Sequence, residues 1–161
     1  MDVITLISRS LLDDVSAKAR TAPRKRMNFN LHSHEQEPCN RLLNAMEPGT
    51  FFVPHCHADP SKDETIVMLR GKLGIVVFDV NGNVADTAVL EAGGENIGIT
   101  ITHGVFHAMV VLESGTVMFE AKAGPFQPLQ AGKEVPVWAP RPESPEASAY
   151  LARLTLLFGR G

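Results

Sequence analysis

A chain of 161 residues, 44% of them hydrophobic, can bury one real core and is short for two ordinary domains. Its formal net charge of -3 gives no electrostatic bias toward nucleic acid or an anionic membrane surface, so neither is an expected partner. No stretch approaches the roughly 20 apolar residues that cross a bilayer, and Ser8, Arg9, Ser10, Asp13 and Asp14 interrupt the apolar N-terminal residues. A cytoplasmic protein is expected, with Cys39 and Cys56 as free thiols.

In chain order, Leu6, Ile7, Leu11, Leu12, Val15 and Ala19 recur at helical spacing and predict a short amphipathic helix over residues 5–19. Beyond Pro23 and the basic run Arg24, Lys25 and Arg26, residues 27–32 alternate Met27, Phe29 and Leu31 with Asn28, Asn30 and His32, a strand with one polar face. Residues 40–46 read as a second strand ended by Pro48 and Gly49, and residues 50–57 as a third. Strands are predicted over residues 65–70 and 73–80, the latter closed by the turn Asn81, Gly82 and Asn83. Further strands are expected at 84–90, 97–102, 107–112 and 116–123. Roughly nine short strands with Gly, Pro and Asn turns and no interleaved helices imply an antiparallel sandwich or barrel and exclude a parallel α/β sheet. Residues 124–145, rich in proline and glycine, read as an irregular wrap. Ser144 as cap and Pro145 as first residue then start a last helix with Leu151, Leu154 and Leu157 or Phe158 on its buried stripe.

The residues that carry chemistry are concentrated in the middle of the chain. In a strand, His55 and His57 stand two apart and share a face, a bidentate imidazole pair, while Cys56 turns to the opposite face as a small buried hydrophobe. Glu64 opens the next strand and His107 a later one, so antiparallel pairing can bring three imidazoles and one carboxylate to one end of a barrel. Such a mixed set suits one divalent transition metal (Fe, Mn, Ni or Zn) and normally leaves positions open for water or substrate.

Gly49, His55, His57, Glu64 and Gly71, separated by five, one, six and six residues, resemble the first cupin motif, and Gly104 with His107 two residues further on resembles the core of the second. The interval from His57 to Glu64 is longer than the family usually has, which enlarges the loop at 58–63 and makes Asp59 and Asp63 rivals to Glu64; the spacing of Glu64 to Gly71 favours Glu64. Thr102 and Val111 stand where the second motif usually has proline and asparagine. More specifically, Pro23-Arg24-Lys25-Arg26, Asn28-Phe29-Asn30-Leu31-His32, Asn40-Arg41-Leu42-Leu43-Asn44-Ala45, Leu69-Arg70-Gly71, Gly124-Pro125-Phe126 and Trp138-Ala139-Pro140 resemble the WbuC-type cupin metalloproteins. The resemblance implies a single jelly-roll cupin barrel over 23–140 with an N-terminal helix or arm at 1–22 and a C-terminal helix at 141–161. It also implies one metal, a link to bacterial surface-polysaccharide gene clusters, and a homodimer paired through the N-terminal arm; it supplies no reaction.

Around the metal, amides, imidazole and guanidinium are what a polyhydroxylated or anionic ligand needs. Asn30, Asn44, Arg41 and Arg26 are the candidate substrate-binding residues, against the plainer reading of a solvated face. His32 is the candidate general base and His103, in a turn at the barrel rim, a second acid or base. Glu120 and Lys122 read as a surface pair. The expectation is a metal-dependent enzyme acting on a small oxygen-rich molecule, a sugar or sugar nucleotide, by isomerase, epimerase, lyase or oxygenase chemistry. A metal-containing sugar-binding or sensing module without turnover, and a metal-free epimerase on the same barrel, are the competing readings.

Overall fold

The computed structural model describes residues 4–159; residues 1–3 and 160–161, the outer ends of the two expected arms, lie outside them. Helix α1 (Arg9–Thr21) is followed by β1 (Arg26–Asn30), β2 (Cys39–Met46), β3 (Glu64–Arg70), β4 (Lys72–Phe78), β5 (Val84–Glu91), β6 (Gly98–Ile101), β7 (Phe106–Val111), β8 (Thr116–Ala123) and helix α2 (Pro145–Leu156). The strands form two antiparallel sheets, ordered β1-β2-β8-β3-β6 and β5-β4-β7. With a short helix at each end this is a jelly-roll barrel, mainly β as expected. Helix α2 starts at the expected cap, the Ala147 amide donating to the Ser144 hydroxyl, whereas α1 starts later than expected, at Arg9, because the Ser8 hydroxyl accepts from the Leu11 amide and caps it there, leaving Leu6 and Ile7 outside the helix and exposed.

Met46, Ile66, Met68, Leu73, Ile75, Met109 and Met118 fill the space between the sheets. The outer faces are also buried. Leu12, Val15 and Ala19 of α1 pack on Leu43, Ala45 and Val117, and Leu154 of α2 packs with Val76, Phe78, Ala108 and Val110. The apolar stripe of α1 is therefore covered by the chain's own sheet and does not itself require a partner subunit. Because Met27, Phe29 and Leu31 pack beneath α1, alternation turns Asn28 and Asn30 toward the interior of the barrel. The polar face of β1 thus lines a cavity.

One expected strand is absent. Residues 50–57 form no continuous ladder; only His55 pairs, in an isolated antiparallel bridge with His107. Its amide donates to the His107 carbonyl at 3.0 Å and the His107 amide returns a bond to the His55 carbonyl at 2.8 Å. Pro54 removes a ladder donor inside the stretch, and the Cys56 amide donates elsewhere, to the Glu134 carbonyl.

Candidate metal centre and its pocket

The bridge places His55 against β7 in the smaller sheet, and Glu64 faces it from the first residue of β3 in the larger one. Burial alternates along β3, with Glu64, Ile66 and Met68 inward, so the carboxylate occupies the position next to the core rather than the solvent. The ligand atoms of His55, His57 and Glu64 all lie within 4.8 Å of one another. His107 joins them, with Nε2 3.2 Å from Glu64 Oε2 and its ring centroid 4.5 Å from that of His55.

Two of the imidazoles are held alike. His55 Nδ1 lies 2.9 Å from the Val53 carbonyl and His107 Nδ1 2.9 Å from the Val105 carbonyl. A carbonyl only accepts, so both Nδ1 atoms carry the proton and both Nε2 atoms are left as lone pairs. His57 Nε2 is buried without any hydrogen-bond partner, 3.8 Å from Glu64 Oε2. An unpaired polar atom that deep is costly, and an ion about 2.1 Å from both atoms would satisfy it. Burial, with His107 close by, pushes the His55 imidazole down to about 3, so it stays neutral and able to ligate at any ordinary pH. Burial alone would raise Glu64, but the adjoining His107 and His57 imidazoles and the Lys122 ammonium outweigh it and hold the carboxyl well below its usual range. The donor set therefore fits a divalent metal.

The rival carboxylates are engaged elsewhere. Asp59 accepts from the Ser61 amide and hydroxyl, and Asp63 binds His103 Nδ1 at 2.7 Å. Glu64 is the carboxylate of the cluster. Cys56 points away, its thiol toward the Lys133 carbonyl, and burial and Glu134 push its pKa up.

A cavity of about 400 Å³ opens onto His55 and Glu64, and Arg26, Asn28, Asn30, His32, Asn40, Asn44, Glu120 and Lys122 belong to its wall. Four strands supply that wall in register: Asn28 lies opposite Asn44, Asn40 opposite Lys122, and Lys122 opposite Glu64. Four of the residues expected to handle substrate or protons, Arg26, Asn30, Asn44 and His32, are thus brought beside the metal donors. His32 Nδ1 is tied to the backbone of Arg41. Arg41 itself lies outside the lining, its exposed guanidinium paired with Glu37 because its position on β2 alternates away from Asn40 and Asn44. His103 is also outside it, held at the rim by Asp63. A larger cavity of about 550 Å³, between residues 23–26 and the start of α2, contains none of the metal donors but shares Arg24 and Arg26 with the first.

Glu120 and Lys122 are not the surface pair that alternation suggested. Lys122 Nζ bonds Glu120 Oε1 at 2.6 Å and Glu64 Oε1 at 3.3 Å. Burial and the neighbouring Glu64 push the Glu120 carboxyl up to about 7. Burial lowers Lys122, but its two carboxylates prevail and raise it. The signal that could have exposed this was the other face of β8: Val117 and Phe119 are the apolar residues that pack beneath α1, which leaves Glu120 and Lys122 facing inward.

A family model described as a domain of unknown function, DUF6016, matches residues 7–90. The chain belongs to this family. No curated protein sequence matches it. Among solved structures it is similar to KdgF from Halomonas sp., at 14% identity and a TM-score of 0.51 over 66% of this chain and 85% of that one. Protein SO0799 from Shewanella oneidensis aligns at 15% identity and a TM-score of 0.50 over 62% and 68%. A cupin-2 domain containing protein from Shewanella frigidimarina aligns at 21% identity and a TM-score of 0.46 over 61% and 80%. The likeness to KdgF and SO0799 shows the fold alone, and the chemistry of the DUF6016 chain lies in its own residues.

Proposed function

We propose that the protein is a metal-dependent enzyme acting on a small oxygen-rich molecule of the sugar or sugar-nucleotide class. The observation that carries this is the buried, unpartnered His57 Nε2 in a cluster with His55, Glu64 and His107, of which His55 and Glu64 reach a cavity walled by amides and cations. His55, His57, Glu64 and His107 would hold one divalent ion, which supplies Lewis-acid polarisation of a bound carbonyl or hydroxyl. The chain's own groups do the rest. Asn30 and Asn44 orient hydroxyls, Arg26 supplies a fixed guanidinium, and His32, anchored through Nδ1, is the group to move a proton from its other ring nitrogen. Isomerase, epimerase, lyase and oxygenase reactions all use such a floor and wall.

The enlarged loop at 58–63 contributes no residue to the cavity lining, so the centre is not sealed beneath it; this supports turnover over a closed binding module. The WbuC-type resemblance supports a cupin metalloprotein tied to bacterial surface-polysaccharide synthesis, working as a cytoplasmic homodimer. Elemental analysis of protein purified without added metal tests the centre. About one equivalent per chain is expected, lost in His57→Ala and Glu64→Gln. Less than about one-tenth of an equivalent in wild-type protein that still binds no added Zn(II), Mn(II), Fe(II) or Ni(II) refutes it.

A further inference from the structure

The charges in the cavity wall are equal in number but unevenly paired. Arg24, Arg26 and Lys122 stand against Glu35, Glu64 and Glu120, so the side chains balance and a divalent ion on the floor leaves two net positive charges. Lys122 is neutralised by Glu64 and Glu120, which locates the surplus at the floor and at the arginines. Among the described residues neither Arg24 nor Arg26 is paired with a carboxylate.

Arg26 is built into place. Its Nη1 donates to the Phe51 carbonyl at 2.7 Å and to the Thr50 hydroxyl at 3.3 Å, and its guanidinium carbon lies 4.4 Å from the centroid of the Phe52 ring. These contacts fix the planar fork while Nε and Nη2 have no protein acceptor among the described residues. A guanidinium held this way has lost its conformational freedom before any ligand arrives and presents two parallel donors, the geometry that suits a carboxylate or phosphate. Burial and the nearby Arg24 already lower its pKa to about 10, as expected for a cation short of a counter-charge.

Two further unsatisfied groups stand in the same wall. Asn40 and Asn44 are 4% and 6% exposed, and the Oδ1 of each is buried without a hydrogen-bond partner. Buried amides are normally satisfied. Two orphans on one strand face, both in the wall of one cavity, mark positions where something outside the chain supplies hydrogen-bond partners, and hydroxyl groups do so. We infer that the pocket takes an anionic polyhydroxylated molecule, its hydroxyls on Asn40 and Asn44, its carboxylate or phosphate on Arg26, and its reacting end at the His55–Glu64 floor. This rests on the metal-centre reading for the orientation of the reacting end and for the net positive charge of the wall, and not for the Arg26 anchor or the two asparagines.

The test uses three probes that differ at one carbon: D-glucose, D-glucuronate and D-glucose 6-phosphate, titrated by calorimetry into the full chain with its metal content measured. Both anions, or one of them, should bind at least about tenfold tighter than glucose. Preference for glucuronate identifies a sugar acid, and preference for the phosphate a sugar phosphate. Arg26→Gln should abolish the preference while metal content stays at the wild-type level. Asn44→Asp, which places a like charge in the same wall without removing the Arg26 anchor, should weaken the anions more than it weakens glucose. Equal affinity for all three, no binding of any, or a preference that survives Arg26→Gln overturns the inference. A protein that holds no metal yet keeps the Arg26-dependent preference sinks the enzyme reading and leaves this one standing.

Discussion

Replacing Lys122 with methionine isolates the charge cluster beneath the pocket. The ammonium sits 2.6 Å from Glu120 and 3.3 Å from Glu64, and the two carboxylate side chains are only 8% and 3% exposed. An exposed ion pair is worth at most about 1 kcal/mol; removing one partner of a buried pair costs roughly 3–5 kcal/mol, because the other charge is left desolvated. Here two carboxylates lose their cation together, although Glu120, already pushed up to about 7, relieves part of the cost by taking up a proton. Lys122→Met is therefore expected to lower the stability of metal-free protein by about 3 kcal/mol at pH 7, roughly 6–12 °C in Tm for a chain of this length. Adding Glu120→Leu should recover most of it, since a hydrophobic pair of similar volume replaces a buried ion pair at little cost. Urea denaturation with chelator present reads all the terms. A loss below about 1 kcal/mol for the single variant, or a double variant no more stable than the single, would show that the cluster is not the buried triad described.

Glu120→Gln carries a pH signature in metal-free protein. The folded carboxyl, near 7, lies above its ordinary 4.5, so the native state binds the extra proton and this group's stabilising contribution falls as pH rises from about 4.5 to about 7. The stability of wild type relative to Glu120→Gln should fall across that window, and a flat difference in denaturation midpoints refutes it. Gly98→Ala puts a Cβ 2.5 Å from the Ile66 backbone oxygen, which cannot yield without moving β3, whereas Gly74→Ala meets the Phe158 ring at 2.6 Å, a side chain beyond α2 that can move without displacing a strand. Gly98→Ala should cost about 1–3 kcal/mol and weaken metal uptake, and Gly74→Ala less on both counts; the reverse order in thermal melts and metal titrations is the contrary result. Cys39 is exposed and Cys56 buried with its pKa raised, so a thiol reagent at pH 8 should modify one cysteine quickly and the second only on unfolding. Equal rates would contradict the placement.

What was legible in the sequence follows from which forces are local. Alternation in residues 27–32 and 116–123, the cap at Ser144 and the helical spacing of Leu11, Leu12, Val15 and Ala19 specify elements without reference to the rest of the chain, and these form, while Leu6 and Ile7 at the start of that stripe stay outside the helix. Residues 50–57 show the limit: the stretch has the apolar residues of a strand, but Pro54 and the bond from Cys56 to Glu134 break the ladder, and the two histidines converge through one bridge instead of strand parity. The pairing of His55 with Glu64 and His107 was readable only through the resemblance of the motif spacings, since no single sequence states which strands are neighbours.

The inward turn of the polar faces was the larger blind spot, and its cause is physical. A strand with one apolar and one polar face is usually read with the apolar face on the barrel core and the polar face in water. Here α1 supplies a second apolar layer outside the larger sheet, and Met27, Phe29, Leu43 and Val117 pack against it, so hydrophobic burial is satisfied on the outer face and the inner face is free to carry Asn28, Asn40, Asn44, Glu120 and Lys122. The helix on the outside is what permits a polar wall on the inside. Truncation of α1 should therefore disturb the pocket as well as the fold, because the strands that carry Asn44 and Lys122 would lose the apolar contact that fixes which way they face.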